Sequence, residues 1–245
     1  KEASLVALNV RGKSIALGAW EGPVYQQGER QGVRYQHINF HSDNKRMVVV
    51  SDKGGSERLE IHHIKESKRP FVFTNLDIGR PSEIKLAPTK DLAAIVNHRN
   101  ELLIVNLNNK SLKVVDRSKY NVIDGFDWSP DSRYIAYSCA ESIHSQIIKI
   151  FDRRIEKSHS VTESISRDFS PVFDPKGKYL YFLSNRIFNP VYDDIQFELS
   201  FPMGTKPFAI ALTRETPSPF VKEATSFSKS SPPNEPDRLL SPITS

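Results

Sequence analysis

The sequence predicts an all-β protein, a β-propeller of about five four-stranded blades. Three observations lead to this prediction: one strand-turn-strand phrase recurs along the chain, its copies are regularly spaced, and no stretch shows a convincing helical period. The composition agrees, because 245 residues with 38% hydrophobic and 26% charged side chains are typical of a soluble globular protein. No apolar run approaches the roughly 20 residues that a membrane helix needs.

Each copy of the phrase has an apolar anchor residue, a turn of about five residues and an apolar strand. The clearest copies are WSPDSRYIAY at 128–137 and FDPKGKYLYF at 173–182. Successive anchors are separated by 32, 46, 42 and 45 residues, and the last three spacings match the roughly 40–45 residues of a propeller blade. The five anchors are Leu8, Phe40, Leu86, Trp128 and Phe173.

Turn chemistry supports the alignment. Pro88, Pro130 and Pro175 each lie two residues after an anchor, where a fixed φ and a missing N–H favour a turn. Short runs rich in Val, Ile, Tyr and Phe then supply the remaining strands of each unit. The predicted third strands are 58–64, 101–107, 146–151 and 207–212, with 23–26 in the first unit, and the predicted fourth strands are 70–74, 111–115 and 159–162.

Other all-β arrangements stay open, namely a sandwich or an irregular array of strands. Five blades alone are unusual but allowed, since propellers carry four to eight. A chain that begins at Lys1 rather than Met, with a short first unit, is explained more simply as a segment of a longer propeller. The expectation from the residues is therefore about five blades that belong to a longer propeller.

The fifth unit carries a long insertion, residues 185–206, which is rich in aromatic side chains. Long ordered loops often carry binding surfaces, although this one equally suits a plug over apolar surface. Residues 1–222 are predicted to form the blades. The proline- and serine-rich residues 223–245 are predicted to form an interdomain linker or a disordered tail.

The residues predict no catalytic centre. Nucleophilic hydrolysis needs an activated Ser or Cys beside a base, and there is no G-x-S-x-G elbow. Gly54-Gly55-Ser56 is predicted to be a turn. Cys139 falls just after a predicted strand at 134–138 and is expected to be a buried, inert thiol. A single cysteine also excludes a disulfide framework and a cysteine-based zinc site.

Metal, cofactor and nucleic-acid sites are not predicted either. His62 and His63 are adjacent on a strand and therefore point to opposite faces, and no helix brings His37 towards His41. The acidic group Asp193, Asp194 and Glu198 in the insertion lacks an EF-hand pattern, so a solvated loop is expected. The densest basic spots, Arg153-Arg154 and residues 65–69, are interrupted or flanked by acids and form no continuous stripe.

The repeats and the insertion together resemble the tricorn protease family. The similarity is carried by FDPKGKYLYFLSNR at 173–186, NPVYD at 189–193, FPMGTKP at 201–207 and TPSPF at 216–220. GPVYQ at 22–26 and GVRY at 32–35 are also similar. The resemblance covers roughly residues 3–222 and corresponds to the last blades of that family's second propeller. The blade turn alone is unspecific, but the long run through the fifth unit is specific.

The resemblance implies a large, oligomeric, cytoplasmic serine peptidase that trims peptides. Its second propeller, normally seven-bladed, is expected to filter and admit peptides. The family's catalytic Ser, His and Glu lie after the propellers, so no catalytic, cofactor or metal position is carried onto this sequence, and the substrate-binding residues are not predicted. The expected partners are peptides, the other domains of the parent and further copies of it, with no nucleic acid or membrane.

Two alternative functions remain at this stage. One is a self-standing TolB-type or WD-repeat propeller that binds a protein partner. The other is the propeller of a prolyl-oligopeptidase-like enzyme, against which the fifth-unit insertion argues.

Overall fold

A computed structural model describes residues 5–29, 31–65, 68–187, 189–192, 199–200 and 204–220 of the chain. Among these residues the structure has β-strands and no helix, as predicted. Blade 1 contains β1 (Leu5–Val10), β2 (Lys13–Gly18) and β3 (Val24–Gln27); blade 2 contains β4 (Tyr35–Phe40), β5 (Arg46–Ser51), β6 (Arg58–His63) and β7 (Phe71–Val72). Blade 3 contains β8 (Pro81–Leu86), β9 (Leu92–Asn97), β10 (Glu101–Asn106) and β11 (Leu112–Arg117). Blade 4 contains β12 (Phe126–Trp128), β13 (Tyr134–Ala140), β14 (Gln146–Asp152) and β15 (Lys157–Ser160). Blade 5 contains β16 (Asp168–Phe173), β17 (Tyr179–Ser184), the hairpin of β18 (Val191–Tyr192) with β19 (Leu199–Ser200), and β20 (Lys206–Ala211).

Each blade is an antiparallel meander in which strands lie in the order of the chain. Blades 2, 3 and 4 have four strands each. Over the described residues, the main sheets of blades 1 and 5 have three, because β3 and β20 lack an outer neighbour. The two-stranded sheet of β18 and β19 lies within the predicted insertion, between the second and third strands of blade 5.

The predicted anchors end the first strand in four of the five blades. Phe40, Leu86, Trp128 and Phe173 are the last residues of β4, β8, β12 and β16, and five residues separate each from the next strand. The turn after Trp128 shows why this sequence suits the bend. The Ser129 hydroxyl accepts a hydrogen bond from Tyr134 N at 2.8 Å and donates one to Asp131 Oδ1 at 2.6 Å, so side chains satisfy the turn.

The first unit departs from the predicted pattern. β1 continues past Leu8 to Val10, which pairs directly with Lys13. Only Arg11 and Gly12 form the turn, and both have positive φ, 48° and 74°. Two left-handed residues make the tight hairpin turn that suits the twist of antiparallel strands. The five-residue turn expected after Leu8 is therefore wrong, because Gly12 allows a shorter connection.

The other predicted strands agree with the structure to within two residues at either end, and one of them is shifted as a whole. The fourth strand of blade 4 was predicted at 159–162 but lies at Lys157–Ser160. Beyond Ser160, the Thr162 hydroxyl accepts the hydrogen bond from Ile148 N at 3.0 Å. This side chain takes the place of a backbone partner and ends the strand earlier.

The hydrophobic core lies between adjacent blades rather than in one central mass. Separate buried clusters join blades 1 and 2, blades 2 and 3, blades 3 and 4, and blades 4 and 5. The first strand of each blade contacts the first strand of the next. Successive sheets therefore radiate from an inner row formed by β1, β4, β8, β12 and β16, which is the arrangement of propeller blades.

The two terminal blades each present an outer sheet face. On blade 1, Val6, Leu8, Val10 and Val24 are 37%, 45%, 49% and 66% exposed, whereas Ala16 on the opposite face is buried against blade 2. On blade 5, Val172 and Tyr181 are the cross-strand pair on the exposed face. Among the described residues no helix is long and apolar enough to cross a membrane.

Candidate functional site

The thiol of Cys139 is buried, as predicted, but lies inside β13 rather than after it. Its partner residue across the sheet is Ile147, and it belongs to the cluster between blades 3 and 4. Burial raises the pKa of this thiol, and the nearby Lys149 only partly opposes the effect. A thiol of this kind is a poor nucleophile because little thiolate is present.

The segment Gly54-Gly55-Ser56 lies in the exposed loop between β5 and β6. The Ser56 hydroxyl accepts a long hydrogen bond of 3.4 Å from Arg58 Nε. A guanidinium cannot act as the base that activates a serine. The loop therefore has no feature of a hydrolytic centre.

The four histidines considered for metal binding make separate contacts. His37 Nε2 lies 3.0 Å from the carbonyl of Pro81, whereas His41 Nε2 lies 2.6 Å from Asp91 Oδ1. His62 is buried on β6 and the adjacent His63 is half-buried, as expected for opposite faces of a strand. No group of three or more His, Cys, Asp or Glu side chains that could hold a metal ion occurs among the described residues.

The charged residues singled out in the sequence also lie, where the structure describes them, in separate parts of the fold. Arg153 and Arg154 lie in the turn between β14 and β15, where Arg153 Nη1 donates to the carbonyl of Ser132 at 2.7 Å. Burial lowers the pKa of Arg153. The acidic residues Asp193, Asp194 and Glu198 lie outside the described residues. Of the basic stretch 65–69, the described members are Lys65, Lys68 and Arg69, and these line a cavity between blades 1 and 2.

That cavity has a volume of about 950 Å³, and its lining includes a buried polar group that the sequence did not indicate. Glu60 and His62, 1% and 4% exposed, both lie on β6, and His62 Nε2 is 2.7 Å from Glu60 Oε2. The Ser51 hydroxyl donates to Glu60 Oε1. Tyr35 stands edge-on to His62, with ring centroids 5.7 Å apart.

The hydrogen-bond pattern of Ser51, Glu60 and His62 is not that of a hydrolytic triad. In a triad the hydroxyl donates to the histidine, and the carboxylate holds the other ring nitrogen. Here Ser51 and His62 each bond to a different oxygen of Glu60, so the carboxylate stands between them. The arrangement fixes a buried charge by hydrogen bonds and does not create a nucleophile.

A second polar group lies on the inner row of strands. The sequence pattern did not predict this group either. Lys85 Nζ on β8 lies 3.3 Å from Glu83 Oε1 and 3.9 Å from Asp127 Oδ1 on β12. It also donates to the carbonyl of Phe126. Burial raises the pKa of the Asp127 carboxyl, and its other oxygen accepts a hydrogen bond from Phe173 N at 2.9 Å. The inner edges of blades 3, 4 and 5 thus share one charged, half-exposed cluster.

Three comparisons place this geometry among known proteins. The family model described as the tricorn protease second β-propeller domain matches residues 1–241. The chain belongs to the tricorn protease family. A Tricorn-like protease C-terminal subunit from Sulfurisphaera tokodaii is 34% identical over 96% of this chain and 27% of its own length. The Tricorn protease homolog of Saccharolobus solfataricus is 32% identical over 84% of this chain and 19% of its own.

Solved structures agree on the fold. The crystal structure of the tricorn protease superposes with a TM-score of 0.79 at 23% identity, covering 92% of this chain and 23% of that one. TolB from Acinetobacter baumannii superposes with a TM-score of 0.56 at 12% identity, over 74% of this chain and 47% of that one. The chain therefore spans about a fifth to a quarter of the length of the tricorn proteins it matches. The predicted family and the predicted fold class are both confirmed.

Proposed function

We propose that this chain is a non-catalytic propeller segment of a tricorn-like serine peptidase and that it gates or channels peptides towards a catalytic domain. The observation that carries the proposal is the match of residues 1–241 to the second propeller domain of the tricorn protease. The partners we propose are peptides, the other domains of the parent peptidase and further copies of that parent, in the cytoplasm. We also propose that residues 1–222 are blades and that residues 223–245, which lie outside the described residues, are an interdomain linker or a disordered tail.

Two features of the residues support a role without catalysis. The Ser, Cys and His side chains singled out above lack the hydrogen-bond order of an activated nucleophile. By contrast, the inner row carries Glu83, Lys85 and Asp127, with Glu83 and Lys85 side chains 40% and 35% exposed. Half-exposed charges at the inner edges of the blades suit transient contacts with the backbone and charged ends of a passing peptide.

The test is to obstruct the inner edge of the blades in a polypeptide that joins this propeller to the family's peptidase region. Glu83→Cys labelled with a bulky maleimide places the obstruction beside Lys85, while the buried Cys139 stays unlabelled. Lys157→Cys, on the outermost strand of blade 4, is the matched control. We expect the label at residue 83 to slow cleavage of long peptides several-fold and the label at residue 157 to have no effect. Equal rates for the two labelled proteins would contradict a peptide route past these strands.

A further inference from the structure

Over the described residues, strand β20 has an open outer edge, unlike the third strands of blades 2, 3 and 4. In those blades a fourth strand, β7, β11 or β15, pairs with the third strand. Among the described residues β20 pairs with β17 alone. Pro207 within β20 is typical of an edge strand, because proline cannot donate to a ladder. The backbone groups of β20 that point away from β17 therefore offer a template for another extended segment.

A cavity of about 400 Å³ lies beside this edge, between blades 4 and 5. Its blade 5 wall includes Phe182, Phe208 and Ile210, and the two phenyl rings stack with centroids 5.7 Å apart. Ile165, which is 76% exposed, lines the opposite side on the connection that follows β15. Arg186 lies 4.9 Å from the ring centroid of Phe208 and is held by Asp168 at 2.6 Å. The blade 5 wall is thus apolar with a cation fixed by its own carboxylate, whereas Thr162 and Glu163 bring polar groups to the blade 4 side.

Blade 3 shows what kind of segment fits at the outer edge of a third strand. Its Ala93–Val105 pair corresponds to the Leu180–Ile210 pair of blade 5, since each joins the second residue of the second strand to the third strand. On blade 3 the fourth strand places Leu112 opposite Val105, and Leu112 packs on the cluster between blades 2 and 3. A segment added to β20 in the same register would place an apolar side chain opposite Ile210 and over the cavity.

The described chain does not fill this edge after it leaves β20. Leu212 N donates to the carbonyl of Lys178 at 2.9 Å, which continues the pairing with the β17 side. The Tyr179 hydroxyl then donates to the carbonyl of Pro217 at 2.7 Å. Residues 212–217 therefore turn back over β17, away from the outer edge of β20.

From these contacts we infer that the outer edge of β20 and the adjacent cavity bind an extended peptide by strand addition, with an apolar peptide side chain opposite Ile210. The backbone ladder supplies binding that tolerates many sequences, and the cavity supplies a preference for one apolar residue. This inference deepens the proposed function and rests on it, because it names a docking site for peptides on the blade.

The probe for this site is a fluorescein-labelled peptide with the sequence SLKVVDR, which is residues 111–117 and contains the fourth strand of blade 3. Fluorescence anisotropy with the full 245-residue chain should show saturable binding. Ile165→Asp should weaken binding by about tenfold, since it places a charge at the apolar cavity. Ile143→Asp is the matched control, because Ile143 is also 76% exposed but does not line the cavity.

Two further measurements test the strand pairing itself. SLKVVDR N-methylated at alternate backbone nitrogens should lose binding, since the side chains are kept while ladder donors are removed. Hydrogen exchange of residues 206–211 should slow when the unmodified peptide is added, at those amides that do not bond to β17.

The inference is overturned if SLKVVDR does not bind, if the N-methylated peptide binds equally well, or if Ile165→Asp and Ile143→Asp behave alike. It is also overturned if all amides of residues 206–211 are already protected without peptide, because another part of the chain then covers the edge. Any of these results leaves the experiment at Glu83 unaffected, so the peptide route can succeed or fail separately.

Discussion

His62 Nε2 lies 2.7 Å from Glu60 Oε2, and both side chains are buried on the same face of β6. Burial alone raises the pKa of Glu60, but the bonds from His62 and Ser51 outweigh it, and the pKa lies below its ordinary value. Glu60 is therefore an ionised carboxylate inside the wall of the cavity between blades 1 and 2. The contribution of the Glu60 carboxylate to the free energy of unfolding therefore depends on pH.

We expect Glu60→Gln to lower the free energy of unfolding by about 1–3 kcal/mol at pH 7, because charged hydrogen bonds to buried groups are lost. Since the folded pKa is lowered, the stabilisation by Glu60 is present above the unfolded pKa of about 4.3 and is lost as the pH falls through the folded value. Urea denaturation at pH 7 and below pH 4 should show a larger acid loss in the wild type than in the variant. Glu163→Gln, at an exposed position, should retain the wild-type profile.

The spacing of blades 4 and 5 depends on a glycine. Gly125 has φ +88°, and a Cβ there would stand 2.9 Å from the Cα of Ser170 on β16. Gly55 has nearly the same φ, +87°, and a Cβ there would have no atom within 4 Å. Gly55→Ala therefore measures the backbone strain alone. Gly55→Ala should cost about 1–2 kcal/mol, and Gly125→Ala about 1–3 kcal/mol more because backbone must move. Thermal or urea unfolding of both variants checks this, and equal losses would contradict a close approach between the blades.

The thiol of Cys139 should react with Ellman's reagent only after unfolding. Burial raises its pKa, so at pH 8 it carries less thiolate than an exposed cysteine and is also shielded by β14. We expect a rate at least about tenfold slower in the folded chain than in urea. The Glu83→Cys variant supplies an exposed thiol for calibration, and rapid labelling of the wild-type chain would show that the blade 3 and blade 4 interface opens.

The outer face of blade 1 should cause the purified chain to associate. Val6, Leu8, Val10 and Val24 form one exposed apolar face, and such faces promote contacts between molecules. We expect Leu8→Lys to weaken association about tenfold, as measured by sedimentation velocity over a range of concentrations. Ile155→Lys, which removes a residue 54% exposed in the turn before β15, is the control and should leave association unchanged. A wild-type chain that stays monomeric at high concentration would rule out this role for the face.

The turns made the blades predictable from the sequence. Proline and short polar side chains fix the five-residue turns locally, so the ends of β8, β12 and β16 follow from Pro88, Pro130 and Pro175. The first hairpin was mispredicted because Arg11 and Gly12 can form a shorter turn, and an anchor pattern does not encode turn length. The family followed from the long run through blade 5.

The polar groups were not predictable in the same way. Glu60 lies between Leu59 and Ile61, and this alternation of polar and apolar residues is typical of a strand with one solvent-exposed face. In a propeller both faces of a blade are covered, so the carboxylate is buried and needs His62 and Ser51. Lys85 and Asp127 belong to different blades, and only the packing of β8 beside β12 brings them together.

The chain-order meander of blades 2, 3 and 4 has a consequence for folding during synthesis. Each strand after the first in these blades pairs with the strand that was synthesised just before it, and local pairings of this kind form quickly. Blade 5 differs, since β17 pairs with β20 across the segment between Ser184 and Lys206. A nascent chain can therefore complete blades 2, 3 and 4 in succession, whereas in blade 5 β17 pairs with β16 but keeps its other edge unpaired until the insertion and β20 have been translated. Blade 5 is then the step most exposed to mispairing or to chaperone capture.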